Sequence, residues 1–177
     1  MKLKAFASFF LSLVIVAFSV NYGFAEGEEI SQETLNSVSQ NCSSIKLQLE
    51  RTQKEDSRLR VHLGAQYETI SSNLMQNLNI RLVRNNKSNP NLAEQQIAFA
   101  SERENFKGQF TEYSQELSKL VKIDCKAEPE KFYRKLLTVR EKRNAVYLST
   151  QKLRTIVSTH HSTINQFAKE LEDGKKD

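Results

Sequence analysis

The chain has 177 residues, a net charge of +5 and 38% hydrophobic residues, which bounds it to one domain, or one domain plus an extension. Its 26 Lys and Arg against 21 Asp and Glu are too balanced for the clustered basic face of a nucleic-acid binder. Five glycines, two prolines and no sustained period-two apolar run exclude a sheet-based fold and leave little material for an ordinary enzyme pocket.

Residues 1–25 read as a secretory signal peptide. Lys2 and Lys4 form a basic start, residues 5–20 are uncharged and mostly apolar, and Gly23-Phe24-Ala25 supplies small residues for cleavage after Ala25. The alternative is an uncut membrane anchor, since the run is just short of the roughly 20 residues of a full span. No Cys follows the run closely, which argues against a lipoprotein signal. Cleavage leaves 24 Lys and Arg against 21 Asp and Glu, a net +3, and no second apolar run long enough to span a membrane. Residues 26–30 form an acidic leader expected to be disordered.

A first helix is expected over about 31–85, with Ser31 as its cap. Its ladder runs through Leu35, Val38, Cys42, Ile45, Leu49, Thr52, Asp56, Leu59, Leu63, Gln66 or Tyr67, Ile70, Leu74, Leu78 and Leu82. The polar stretch 39–44 is weak helix and a place to bend or break. Gly64 is an internal weakener, either needed for close packing or simply tolerated. The Asn-rich residues 85–89 form a loop; Asn suits the left-handed turn that ends a helix, and Asn89 can cap the next one with Pro90 at its first position.

The second helix, about 90–123, carries Leu92, Gln96, Phe99, Arg103, Phe106, Phe110, Tyr113, Leu117 and Leu120 on one seam, aromatic in its middle. Residues 124–129 make a second loop. The third helix, about 129–173, has the most regular ladder: Phe132, Leu136, Val139, Arg143, Val146, Thr150, Leu153, Val157, His160, Ile164, Phe167 and Leu171, with steps that alternate four and three. Gly174 is read as its stop and residues 175–177 as a charged tail.

Short loops make consecutive helices antiparallel neighbours, so the expected fold is all-α, an elongated antiparallel three-helix bundle with coiled-coil-like packing over residues 31–174. Folding straight rods about the two loops sets residue 103 beside about 71 and 151. It sets Cys125 beside about residue 49, some 10 Å of helix from Cys42. Extended loop residues or a break at 39–44 would close that gap, and an even cysteine pair in an exported protein favours a Cys42–Cys125 disulfide over intermolecular pairing.

The helices differ in length, so both outer ones overhang. Ile164, Phe167 and Leu171 at one end, then Leu35 and Val38 at the other, are the candidate partner surface.

Other candidates weigh lighter. His160 and His161 are adjacent and point about 100° apart on a helix, so a buried His160 beside an exposed His161 fits better than a metal site. Asp56, Arg103 and Arg143 occupy seam slots without converging in the straight-rod fold, which favours a role in register over a ligand site. Asn41-Cys42-Ser43 and Asn86-Lys87-Ser88 match the N-glycosylation pattern. No nucleophile elbow, phosphate loop, dinucleotide motif or metal spacing is present, so no catalytic, cofactor or metal residues are expected.

The expected function is that of a secreted or periplasmic, non-enzymatic interaction protein that binds a protein partner or itself. The alternative is a holdase: in signal peptide, basic pI and long helices the chain resembles exported helical-arm chaperones of bacterial envelopes. A bundle with an internal small-ligand cavity is the third reading.

Overall fold

The structure, a computed structural model, describes residues 29–173. The expected signal peptide, most of the acidic leader, Gly174 and the charged tail lie outside the described residues. Every element is helical: α1 Gln32–Gln40, α2 Cys42–Glu68, a π-helical turn Thr69–Gln76, α3 Asn77–Arg84, α4 Pro90–Lys122 and α5 Pro129–Asp173. No strand occurs among the described residues.

The boundaries follow local chemistry. The Ser31 hydroxyl accepts the Thr34 amide and starts α1. Asn86 takes the left-handed turn (φ 54°) after α3, and the Asn89 side chain accepts the Leu92 amide at 3.2 Å to start α4. Asp124 Oδ1 accepts the Lys126 and Ala127 amides, which shapes the second loop and holds the carboxyl below its ordinary pKa.

The expected first helix is not one rod. It breaks at Asn41, where the backbone leaves the helical range and the Asn41 side chain bonds back to the Ser37 carbonyl at 2.9 Å. It is interrupted again by the π turn. A π turn winds more residues into the same rise, so the faces beyond it rotate. Leu74, expected on the seam, is 59% exposed, while its neighbour Met75 is 2% exposed and fills the slot. Gly64 faces open space, so it is tolerated there and not required for close approach.

The centre of the molecule is α4, not the longer α5. Leu92, Phe99, Phe106, Phe110, Tyr113, Leu117 and Leu120 are all buried along it. On one side α5 packs against it closely. The pairs Gln95–Thr163, Glu102–Ser149 and Glu112–Lys142 show that the two run antiparallel. On the other side α2, the π turn and α3 lean on α4, again antiparallel, with side-chain pairs Gln53–Ser118 and Glu68–Arg103 from α2 and Asn79–Gln96 from α3. Tyr67 stands edge-on to both Phe99 and Phe106, and Phe106 to Phe110, forming an aromatic ladder.

The Cys42–Cys125 disulfide is present, with Cα atoms 5.5 Å apart and both residues buried. Two features close the gap that straight rods would leave. The break at Asn41 frees Cys42 at the first position of α2. Past the end of α4, Ile123 is extended (ψ 136°), which carries the chain further per residue than a helix does.

Candidate functional site

Both α2 and α5 pack on α4, while α2 and α5 come close to each other at few points. The space between them is a groove of about 710 Å³. Its floor is α4, through Tyr113 and Leu117; its walls are Ile45 and Leu49 of α2 and Leu136 and Val139 of α5. Helix α1 folds back against α5 and adds Thr34, Ser37 and Val38 to the lining.

An ionic cluster sits at this groove. The Tyr113 hydroxyl donates to Asp56 Oδ2 at 2.6 Å, and Arg143 Nη2 approaches Asp56 Oδ1 at 3.4 Å. Burial, then the hydrogen bond to Asp56, raises the Tyr113 pKa well above the ordinary tyrosine value. The hydroxyl therefore stays a donor, and the Asp56 side chain, 13% exposed, stays paired. Asp56, Arg103 and Arg143 do not converge on one point, as the sequence suggested, but two of the three do meet. Asp56 and Arg143 meet, because the long Arg143 side chain reaches from α5 to α2, while Arg103 goes elsewhere and binds Glu68 at 2.6 Å and Glu104 at 2.9 Å. Tyr113→Phe is expected to lower stability by about 1.5–3 kcal/mol, since it deletes a charge-assisted bond at a nearly buried carboxylate; urea unfolding of the two proteins measures it.

The candidate partner surface fares unevenly. Val38 is 7% exposed and belongs to the core, and Leu35 is half-buried. The first overhang does not project: the break at Asn41 turns α1 onto α5, so its apolar face is covered by the chain itself. Ile164, Phe167 and Leu171 are each half-buried. Phe167 lies with Thr163 and Gln166 beside Ser88 and Asn89 of the first loop, around a small recess of about 310 Å³.

His160 is buried and its Nδ1 lies 3.1 Å from Gln95 Oε1; His161 is exposed. Burial lowers the His160 pKa below the ordinary 6.5. The unfolded chain then takes up this proton more readily than the folded one. Stability is expected to be flat in this respect above pH 6.5 and to fall as pH drops from 6.5 through the folded-state pKa. His160→Gln should remove that slope, read from thermal midpoints between pH 7 and pH 5, and the His160 ring should titrate below 6.5 by NMR.

Hydrogen bonds from Lys119 and Lys135 hold the Glu116 carboxyl down at about pKa 2 and tie α4 to α5 beside the groove. Sequence reasoning missed the groove itself. Its only signal was the polar and charged interruption of the two facing ladders at Thr52, Asp56 and Arg143. Among the described residues no group of three or more His, Cys, Asp or Glu gathers as a metal site, and no helix is long and apolar enough to cross a membrane. No protein-family model, curated protein or solved structure matches the chain.

Proposed function

We propose that the protein is an exported, non-enzymatic interaction protein: an elongated antiparallel three-helix bundle with coiled-coil-like packing that binds a protein partner on helix surfaces its own chain leaves uncovered. The observation that carries this reading is the groove between α2 and α5, along which Ile45, Leu49, Tyr133 and Leu136 stay only half-buried although α1 also lines it. The half-buried Ile164, Phe167 and Leu171 at the end of α5 offer a second, smaller contact. Export into an oxidising compartment, periplasmic or extracellular, is supported by the buried disulfide and by the basic start and apolar run of residues 1–25, read as cleaved after Ala25.

A discrete partner suits the surface better than general holding of unfolded clients. The most exposed apolar side chains, Leu47, Val61, Val83 and Ile97, are spread over α2, α3 and α4, and single exposed apolar residues are ordinary. A photo-reactive residue at the exposed groove position Gln48 should give one defined crosslinked protein in the producing cells, and the same residue at Arg58, which does not line the groove, should not. Crosslinks of equal intensity at both positions, or none at either, would sink the proposal.

A further inference from the structure

Helix α3 adds no buried residue to the core, the one helix among the described residues that does not. Leu78, Asn79 and Leu82, half-buried, form its inner side, and Asn79 Nδ2 reaches the Leu92 carbonyl and Gln96 Oε1 of α4 at 3.4 Å each. Its outer side carries two pairs at helical spacing. Ile80 and Val83, three apart, are 40% and 67% exposed, and Arg81 and Arg84, also three apart, are exposed beside them. Val83 alone would be ordinary, but Ile80 stands next to it, and neither belongs to the core. Both are β-branched, so helix propensity does not account for them either.

The charge around them has one sign. From Thr69 to Ala93 the chain holds no Asp or Glu, and Lys87 in the loop joins Arg81 and Arg84. All three are exposed, and none of their side chains makes an ion pair or hydrogen bond among the described residues. Glu68 is engaged by Ser72 and Arg103, and Glu170, which reaches the loop beside Ser88 and Asn89, by Gln166. Glu94 stands about 200° round α4 from the Gln96 that meets α3.

A stable protein interface needs on the order of 800 Å² from each partner, more than an eight-residue helix with two exposed apolar side chains supplies. Apolar side chains flanked by unpaired cations on a convex helix instead suit the head-group layer of an anionic bilayer. We infer that α3 and the loop after it rest on an anionic phospholipid surface, with Ile80 and Val83 entering the head-group layer and Arg81, Arg84 and Lys87 on the lipid phosphates. No α3 residue lines the groove, so this contact and the protein-binding reading stand or fall separately.

The protein recovered after export, its disulfide intact, is sedimented at low salt with vesicles of phosphatidylcholine alone or with about one third phosphatidylglycerol. It should partition onto the anionic vesicles roughly a hundredfold more strongly, about fivefold for each of the three cations, and the preference should fade with added salt. Arg81→Gln, Arg84→Gln and Lys87→Gln together, all at exposed positions, should remove it. The chain has no tryptophan, so Val83→Trp reports the burial of its own side chain. Its emission should shift to the blue with anionic vesicles, whereas that of Val61→Trp, at an exposed site on α2, should not. Equal partition onto the two kinds of vesicle, a triple variant that binds as the wild type does, or no shift in Val83→Trp overturns the inference. So does capture of polyglutamate in place of the anionic vesicles, which would assign this face to an acidic protein.

Discussion

Replacing both Cys42 and Cys125 with serine is expected to destabilise the protein by about 4–5 kcal/mol. The two residues are separated by 83 positions, and opening a loop that long restores a large conformational entropy to the unfolded chain. The folded state loses something too, because both cysteines are buried and serine hydroxyls in their places would lack partners. The loss should be uneven: α1 and the first turn of α2 are pinned at Cys42, so protease cleavage in residues 29–45 should appear before the α4–α5 pair opens. Chemical unfolding under reducing and non-reducing conditions gives the first number, and limited proteolysis gives the order. A double variant that unfolds at the wild-type denaturant concentration would show that the helix contacts alone fix the α1–α2 junction.

Phe106→Ala should cost about 3–5 kcal/mol, the range for emptying an aromatic site in a packed core. Phe106 is 1% exposed and is held edge-on by Tyr67 (ring centroids 5.3 Å apart) and by Phe110 (5.8 Å). It therefore joins the α2 layer to the α4–α5 layer, and the cavity opens where the two meet. Helix content by circular dichroism should hold at low temperature while the thermal midpoint drops. Val146→Ala, a smaller deletion at a core position that is 8% exposed, should cost much less. If the two variants melt together, the aromatic ladder is not the joint between layers.

What could be read from the chain alone was local. Asn86 and Asn89 mark the first loop by left-handed tolerance and side-chain capping, and both do what their chemistry predicts. The α4 seam was legible from Leu92 to Leu120 because its apolar and aromatic residues recur at an undisturbed helical period. The π turn was not legible, since Leu74 and Met75 are both apolar and either can complete the ladder. Only the packing beneath them selects Met75, which is the 2% exposed one. The break at 39–44 was legible as weak helix, but its outcome, α1 folded onto α5, depends on contacts with residues about a hundred positions away. The meeting of Asp56 with Arg143 was hidden for a different reason. Straight-rod reckoning follows backbone positions, and here the long Arg143 side chain reaches from α5 to an α2 that comes close to it at few points. The groove exists because of that separation, so the most interesting surface of the molecule is also the part least available to periodicity.

The disulfide also has a mechanical consequence. It closes a covalent ring that contains α2, the π turn, α3 and α4 in full. Tension applied between the two ends of the chain bypasses that ring and runs through the sulfur–sulfur bond. Only the residues before Cys42 and after Cys125 can then lengthen, chiefly by peeling α1 and α5 away. A cut in the loop at Asn86 would leave two pieces still joined as one molecule. The ring, with its aromatic ladder inside, is thus shielded from stretch while the two strippable helices take up the load.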